Sequence, residues 1–247
     1  MPPAMTVPVY AACPRPERSS SLTDFAGIAA VAPKDRHHMN TDLFEIIRTT
    51  RSMRRLKPDP VPPALIRQIL EAGTSAANGG NMQTWRFLVI RDAAIKASVA
   101  QWYRRGWHEV AGPRYRSGAP APGSSRDRFD RMLAAAEHLA DHLHEAPVWI
   151  VPCLQGGTHT RTSGSSIYPA VQNMLLAARA LGLGATLTTL YLLFEKEAEA
   201  ALGLPPDAHS YAIIPIGYPL GRFGPVGRTA LQDVVFADRW GTPWAEV

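Results

Sequence analysis

Residues 168–184 read YPAVQNMLLAARALGLG, and they give the strongest single indication of how this chain folds. Residues 168–181 are almost wholly apolar and have the length of a helix in a globular protein, which Gly182 would end. A helix with so few polar positions is normally buried, either at the centre of a domain or across a dimer interface. The sequence alone does not decide between these two locations. Gly182 and Gly184 do not form a dinucleotide-binding fingerprint, because they follow a helix and the third glycine is missing.

The rest of the chain combines helices with short, widely spaced strands. Apolar periodicity predicts helices that begin near residue 43 and that span residues 63–73, 95–110, 126–144 and 195–202. Short apolar runs predict strands at residues 86–90, 148–154 and 211–217, with the second interrupted by Pro152. Residues 112–125 and 156–166 are predicted loops. Helices outnumber strands and no long repeat is visible, so the predicted class is α+β.

The composition is that of a folded protein with a weak positive charge. Of 247 residues, 46% are hydrophobic and 19% are charged, and the formal net charge is +5. That surplus is too small to indicate nucleic-acid binding by itself. Two cysteines exclude a disulfide scaffold and favour a reducing, cytoplasmic location, and no apolar run is long enough to span a membrane.

The N-terminal part of the chain differs from the rest. Residues 1–40 are rich in Pro, Ser and Ala and sustain neither a helical nor a strand period, which predicts a flexible extension without a secretory signal. Residues 41–247 carry all the predicted helices and strands and are expected to form a single domain.

The densest charge feature is the stretch at residues 48–57, RTTRSMRRLK, with five cations and no acid. One interpretation is a solvated helix end, because cations are favoured there. The other is an anion site, in which arginine forks grip a phosphate and Ser52 adds a hydroxyl. Charge alone does not separate the two.

Two further segments favour the anion site. Residues 75–85, SAANGGNMQTW, form a loop of small residues and amides, which suits close approach to a planar heterocycle. Residues 217–228, GYPLGRFGPVGR, bring another arginine in a glycine-flanked loop. A phosphate group carries about two negative charges and attracts two or three such cations. The three segments together are not easily explained as turns.

These segments resemble the FMN-dependent nitroreductase family over about residues 42–240. The opening motif of the family is matched by residues 50–54 (TRSMR) followed by KPDPV, and its second motif by residues 77–87 (ANGGNMQTWRF). The third is the apolar helix with Gln172 and Asn173 that ends in GLG, and the fourth is the segment 217–228. The resemblance implies a nitroreductase-like fold with a central, mostly antiparallel sheet flanked by helices, in an intertwined homodimer that binds FMN at its interface.

The resemblance also implies roles for individual residues. Arg51, Ser52 and Arg228 would hold the FMN phosphate and ribityl chain, and Arg54 would lie near the flavin pyrimidine, where it stabilises the negative charge of the reduced flavin. A loop from the other subunit would supply Ala77, Asn78, Gly79, Asn81 and Gln83, and the backbone near the reactive edge of the flavin would be that of Thr188, Thr189 and Leu190. The sequence departs from the family pattern in three places: Thr50 replaces an arginine, Thr84 replaces a proline, and Ala76-Ala77 replace a Pro-Ser pair.

The implied function is an oxidoreductase that transfers hydride from NADH or NADPH through FMN to a nitroaromatic, quinone or similar small acceptor in a ping-pong reaction. No dedicated catalytic acid, base or metal is then needed, since the cofactor carries the chemistry. The alternative is a protein of the same fold that binds or sequesters flavin with little turnover. Nucleic-acid and membrane partners are not expected.

The middle of the chain is expected to select the substrate. Trp102, Tyr103 and Trp107 would either stack on an aromatic acceptor or pack the dimer, and Arg104 and Arg105 would favour an anionic acceptor. His138 and His142 have metal-ligand spacing but are interpreted as the polar face of a helix. Cys153, in an apolar strand, is expected to be an inert core thiol.

Overall fold

A computed structural model describes residues 42–120, 124–156, 160 and 162–245. The predicted extension at residues 1–40 lies outside the described residues. The helices are α1 (Leu43–Thr49), α2 (Pro63–Thr74), α3 (Ala93–Arg105), α4 (Gly112–Arg116), α5 (Arg126–His142), α6 (Tyr168–Ala180) and α7 (Glu195–Leu202). The strands are β1 (Trp85–Ile90), β2 (Val148–Gln155), β3 (Gly184–Ala185), β4 (Ala208–Ser210) and β5 (Ile214–Gly217).

The five strands form one sheet in the order β1-β2-β5-β3, with β4 paired to β2 beside β5. Every strand pair among the described residues is antiparallel. The predicted α+β class with a mostly antiparallel sheet is therefore confirmed. None of the described helices has the length and apolar character required to cross a membrane.

The central strand β2 is buried on both faces, which explains its unbroken apolar sequence. Trp149 and Val151 pack against a core formed with α3 and α5, whereas Val148 and Ile150 pack against a second core formed with α2 and α6. Successive side chains of a strand point to opposite faces, so a strand between two layers of helices has no solvent-exposed side.

Helix α6 packs along α2 at close range. A Cβ at Gly73 of α2 would lie 2.8 Å from Cγ of Met174, so the absence of a side chain there permits the contact. The buried residues of α6 form one stripe: Ala170, Val171, Met174 and Ala178. Its other apolar side chains, among them Leu175 and Leu176, remain half-exposed in the single chain. Helix α6, which was predicted to be buried, is therefore buried on one face only in the single chain.

Several predicted boundaries were wrong. The helix expected at residues 95–110 ends at Arg105 and continues as a turn of π-helix, Gly106–Ala111. The loop expected from residue 112 begins with α4. Pro152 does not interrupt β2. Its carbonyl oxygen accepts the Tyr211 N–H (2.9 Å) at the junction of β4 and β5. At this junction the N–H that proline lacks removes no hydrogen bond of the sheet.

Candidate functional site

The basic segment, residues 51–57, crosses the edge of the sheet and is held there by backbone hydrogen bonds. The N–H of Met53 donates to the carbonyl of Ala185 in β3 (3.0 Å), and the N–H of Lys57 donates to that of Tyr218 (2.8 Å). The N–H of Leu220 donates back to Arg55 (3.0 Å). The basic segment therefore lies between β3 and the chain that leaves β5.

This crossing is possible because β3 contains a glycine. A Cβ at Gly184 would lie 2.9 Å from Cβ of Met53 and from Cδ2 of Leu56, and 3.1 Å from Cβ of Pro219. These distances are well below an ordinary carbon contact. The glycine that the apolar-helix motif carries at its end thus permits the basic segment to approach.

Two adjoining cavities open beside the basic segment. The α6 cavity, about 570 Å³, is lined by Ile47, Arg48, Thr50, Gln172, Leu175, Ala185, Thr186 and Leu187. The α5 cavity, about 950 Å³, is lined by Arg54, Ser124, Arg128, Arg131, Met132, Ala135, Gly227, Thr229, Ala230 and Asp233. Arg51, Ser52, Pro225, Val226 and Arg228 line both. Arg51 and Arg228, which are expected to bind phosphate and are far apart in sequence, therefore line the same wall.

Among the described residues, no arginine that lines the two cavities forms an ion pair with an acid. Across the described part of the chain, the arginines that form ion pairs are Arg67, Arg104, Arg105, Arg116, Arg126 and Arg179. None of these lines either cavity, and the one acidic residue that does is Asp233. A concentration of unpaired positive charge in a concave site is suited to an anionic ligand.

Arg54 is the least solvated of these cations. Burial is the main reason that the pKa of its guanidinium lies below the usual value; the phenols of Tyr103 and Tyr115 partly offset this, and Arg51 lowers it further. An arginine nevertheless stays protonated at neutral pH. A cation that has lost water interacts more strongly with a bound negative charge.

The segment that carries Arg228 is anchored by Arg179 of α6. The Arg179 guanidinium lies 4.2 Å from the centre of the Phe223 ring, and its Nε donates to Oγ1 of Thr49 (3.0 Å). Thr50, which stands where the family has an arginine, is the C-cap of α1 and donates its hydroxyl hydrogen to the Ile46 carbonyl (2.6 Å).

The amide-rich loop, residues 77–83, does not meet the arginines within one chain. None of its residues lines either cavity. Its shape is fixed locally, because Oδ1 of Asn78 accepts the Gln83 N–H (2.9 Å) and the Ser166 hydroxyl oxygen accepts the Gly79 N–H (3.1 Å). Asn81 (φ 53°) and Gln83 (φ 51°) adopt the left-handed backbone region, which is uncommon outside glycine and positions their amides on a tight turn.

The stretch expected near the flavin edge lies partly inside the protein. Thr188 is buried, and its hydroxyl donates to the Tyr103 hydroxyl oxygen (2.8 Å). Thr189 and Leu190 are half-buried. The three residues that precede this stretch, Ala185, Thr186 and Leu187, line the α6 cavity.

The aromatic residues expected to stack on a substrate pack within the protein. Tyr103 and Trp107 are 3% and 2% exposed and belong to the core between α3 and α5. Trp102 is half-buried against Phe194, with ring centres 5.5 Å apart. The stacking interpretation of Tyr103 and Trp107 is therefore corrected, because neither ring faces open space in the chain as described.

The anionic preference expected of Arg104 and Arg105 stays a prediction. Arg104 pairs with Asp141 and Arg105 pairs with Glu109, so each positive charge is partly compensated at the surface. Sequence reasoning missed Arg128 and Arg131, which do line a cavity. Their spacing of three residues was the available signal, since it places both on one face of a helix.

Other clusters of titratable groups have structural roles. The rings of His138 and His142 stack with centres 4.4 Å apart, and burial, followed by His142, lowers the pKa of His138. Glu199 of α7 is tied to β4, because its Oε1 accepts the backbone N–H (2.6 Å) and the hydroxyl (2.8 Å) of Ser210. Burial, with a smaller contribution from Glu199, raises the pKa of Cys153 to about 12.

Comparisons with known proteins identify the family of the chain. The sequence model of the Nitroreductase family matches residues 47–218. A Thermus thermophilus protein named NADH dehydrogenase is 33% identical over 206 residues, which cover 75% of this chain and 90% of that protein. A 5,6-dimethylbenzimidazole synthase from Rhodobacter capsulatus is 29% identical over 177 residues, covering 72% of this chain and 83% of the synthase.

A solved structure extends the comparison to the fold. The crystal structure of a Desulfovibrio desulfuricans protein described as a nitroreductase, in complex with FMN, superposes with a TM-score of 0.59 at 26% identity. The match covers 81% of this chain and 99% of that one. With a family match across most of the chain, a mostly antiparallel sheet and an arginine-lined site at its edge, this chain belongs to the nitroreductase family.

Proposed function

We propose that this protein is an FMN-dependent oxidoreductase that passes electrons from NADH or NADPH to a small acceptor such as a nitroaromatic or a quinone. The observation that carries the proposal is the wall shared by the two cavities, where Arg51 and Arg228 lie without an acidic partner beside the Ser52 hydroxyl. A phosphate monoester needs such a donor set: two or three cations and neutral hydrogen-bond donors.

The residues of the cavities fit the rest of FMN as well. Gln172 offers an amide to a ribityl hydroxyl or a ring nitrogen, and Leu187 and Val226 offer apolar surface to a planar ring. Arg54 provides a poorly solvated positive charge close to the phosphate-binding wall. When bound, FMN accepts two electrons as hydride from a nicotinamide and delivers them to an acceptor.

This chain's own residues then bind, orient and supply charge. Arg51, Ser52 and Arg228 would fix the phosphate, which sets the position of the whole cofactor. Arg54 would favour the electron-rich form of the ring, because its charge is only partly screened by water. A ping-pong exchange of donor and acceptor needs no further acid or base, provided that both molecules reach the same open face.

We propose further that the site is completed by a second copy of the chain. Helix α1 buries Ile46 but leaves Leu43, Phe44 and Ile47 exposed at 56%, 69% and 48%. Beyond β5, the C-terminal segment also leaves Leu231, Val234 and Trp240 exposed. Apolar exposure of this extent is typical of an interface. A second copy would bring residues 77–83 to the arginines that they do not meet within one chain.

The experiment that tests the site compares Arg228→Ala with Arg222→Ala. Both remove one arginine from the same exposed segment, but Arg222 lines neither cavity. Loss of a charge-assisted hydrogen bond costs about 1.5–3 kcal/mol, so we expect FMN affinity to fall roughly tenfold to a hundredfold in Arg228→Ala. Arg222→Ala should retain FMN. Equal FMN content in both purified proteins would refute the assignment.

Turnover separates the proposed enzyme from a flavin-sequestering protein. NADH and NADPH oxidation by the FMN-loaded protein is measured with a quinone and with a nitroaromatic acceptor. Oxidation that depends on the acceptor supports the oxidoreductase. Stoichiometric bound FMN with no oxidation of either nicotinamide would favour sequestration.

The shared site is tested by complementation between subunits. Consider a mixed dimer in which one subunit carries Arg228→Ala and the other carries Asn78→Ala. If each site takes Arg228 from one subunit and Asn78 from the other, then one of the two sites carries both substitutions and the other site carries neither. We therefore expect about half of the wild-type FMN content in the mixed dimer and little in either homodimer of variants. If each site lay within one chain, both sites of the mixed dimer would be impaired and no recovery would be seen.

A further inference from the structure

The α5 cavity carries more positive charge than one FMN phosphate requires. Five arginines line it: Arg51, Arg54, Arg128, Arg131 and Arg228. A phosphate with about two negative charges is satisfied by two or three cations. Accepting the proposed function, Arg51 and Arg228 serve the phosphate and Arg54 the ring, which leaves Arg128 and Arg131 without an assigned partner.

We propose that Arg128 and Arg131 form a subsite for an anionic group, a carboxylate or a phosphate, carried by the electron acceptor. The proposal rests on the proposed function and deepens it by naming the substrate class: a small aromatic acceptor with a negatively charged substituent. Two adjacent guanidinium groups match the paired oxygens of either anion.

Helix α5 presents these residues as one stripe. Arg128, Arg131, Met132 and Ala135 follow one another at spacings of three, one and three residues, and all four line the α5 cavity. The two arginines supply charge at the N-terminal end of the stripe, and Met132 and Ala135 supply apolar surface beyond them. An aromatic ring with an acidic substituent has the same division into a charged end and an apolar body.

The guanidinium of Arg128 lies against a glycine of the opposite wall. A Cβ at Gly227 would lie 2.8 Å from Nη1 of Arg128, too close for an ordinary contact. The guanidinium therefore rests directly against the C-terminal segment, next to Arg228. This close approach places the subsite beside the proposed phosphate site.

Two other arginines close to Arg128 and Arg131 in the fold are paired with an acid. Arg126 of the same helix pairs with Asp130, and Arg116 of α4 pairs with Glu137. Arg128 and Arg131 are exposed but take part in no ion pair among the described residues. A ligand carboxylate is the partner that would compensate their charge.

The test compares two acceptors of the same shape, 4-nitrobenzoate and the neutral 4-nitrobenzamide, with FMN-loaded protein. The variant is Arg128→Gln/Arg131→Gln, and the matched control is Arg126→Gln, which removes a cation of α5 outside the cavity. Initial rates give KM and kcat for each acceptor and for NADH and NADPH. Calorimetric titration with 4-nitrobenzoate in the absence of nicotinamide measures binding independently of turnover.

We expect the double variant to raise both the KM and the Kd for 4-nitrobenzoate roughly tenfold, since each exposed charge pair contributes a modest factor. The kinetics with 4-nitrobenzamide and the FMN content should stay within about twofold of wild type. Arg126→Gln should behave as wild type with both acceptors.

Three results would overturn the proposal. Equal KM values for the two acceptors in wild type and variant, together with no change in 4-nitrobenzoate binding, would show that the arginines bind no acceptor anion. Loss of FMN from the double variant alone would assign them to the cofactor phosphate. A raised KM for NADPH without a change for 4-nitrobenzoate would assign them to the donor. Failure of the proposed function is distinct, because 4-nitrobenzamide would then not be reduced either.

Discussion

The substitution Gly184→Ala tests whether the approach of the basic segment to β3 builds the site. The added methyl carbon would lie 2.9 Å from Cβ of Met53 and from Cδ2 of Leu56. The methyl of Leu56 can rotate away, but Cβ of Met53 is fixed to the backbone. Carbon atoms in contact are separated by about 3.5–4.0 Å, so the basic segment must move by roughly 0.6 Å or more.

The expected cost follows from that displacement. Forcing an extra methyl group into a packed position costs about 1–3 kcal/mol, and the Met53 N–H bond to Ala185 (3.0 Å) is stretched at the same time. Because Arg51 and Arg54 lie within two residues of Met53, the same movement shifts the proposed phosphate and ring cations. We therefore expect FMN affinity to fall by about tenfold, which corresponds to about 1.4 kcal/mol.

Urea unfolding of the FMN-free protein measures the first effect, and quenching of flavin fluorescence on titration measures the second. Gly221→Ala is the matched control, since nothing lies within 4 Å of the added carbon. It should change neither quantity. If Gly184→Ala unfolds at the wild-type urea concentration and binds FMN equally well, the basic segment does not depend on the close approach and the reasoning is wrong.

Two further predictions concern groups outside the site. Glu199→Ala should destabilise the fold by about 2–3 kcal/mol in urea unfolding, because the buried N–H and hydroxyl of Ser210 lose their acceptor; an effect below 0.5 kcal/mol would contradict this. Cys153 should resist iodoacetamide at pH 8 in the native protein and react after unfolding, since burial raises its thiol pKa to about 12 and only the thiolate reacts. Peptide mapping by mass spectrometry of the labelled protein checks this, and rapid native labelling of Cys153 would refute it.

The control for Glu199→Ala is Glu197→Ala, on the exposed side of α7. Both substitutions remove the same group from the same helix and gain the same helix propensity. The difference between them therefore reports the contacts to Ser210 rather than the stability of α7.

Elements that bury a continuous apolar face were predictable from the sequence. Helices α2, α5, α6 and α7 were predicted to within a few residues, because their apolar stripes repeat at the helical period over several turns. The strands β3 and β4 were not, since they have two and three residues and no period can appear over that length. They become strands only through their partners β5 and β2, which are distant in sequence.

The environment of an aromatic residue was less accessible to the same reasoning. Tyr103 and Trp107 are four residues apart, so their shared helix face was predictable. Whether that face meets solvent or another element depends on where α5 and the segment Leu190–Phe194 pack, and neither contact is local in sequence. Aromatic side chains gain most by full burial, so burial in the core is the commoner outcome for such a face.

Charge in the site depends on pairing, which a sequence does not reveal. Two pairs of arginines lie on helices: residues 104 and 105, and residues 128 and 131. The number of positive charges does not distinguish one pair from the other. Among the described residues, the first pair forms ion pairs with Asp141 and Glu109, whereas the second forms none, although Asp233 lines the same cavity. The sequence feature that distinguishes the second pair is Gly227, whose missing side chain admits the Arg128 guanidinium.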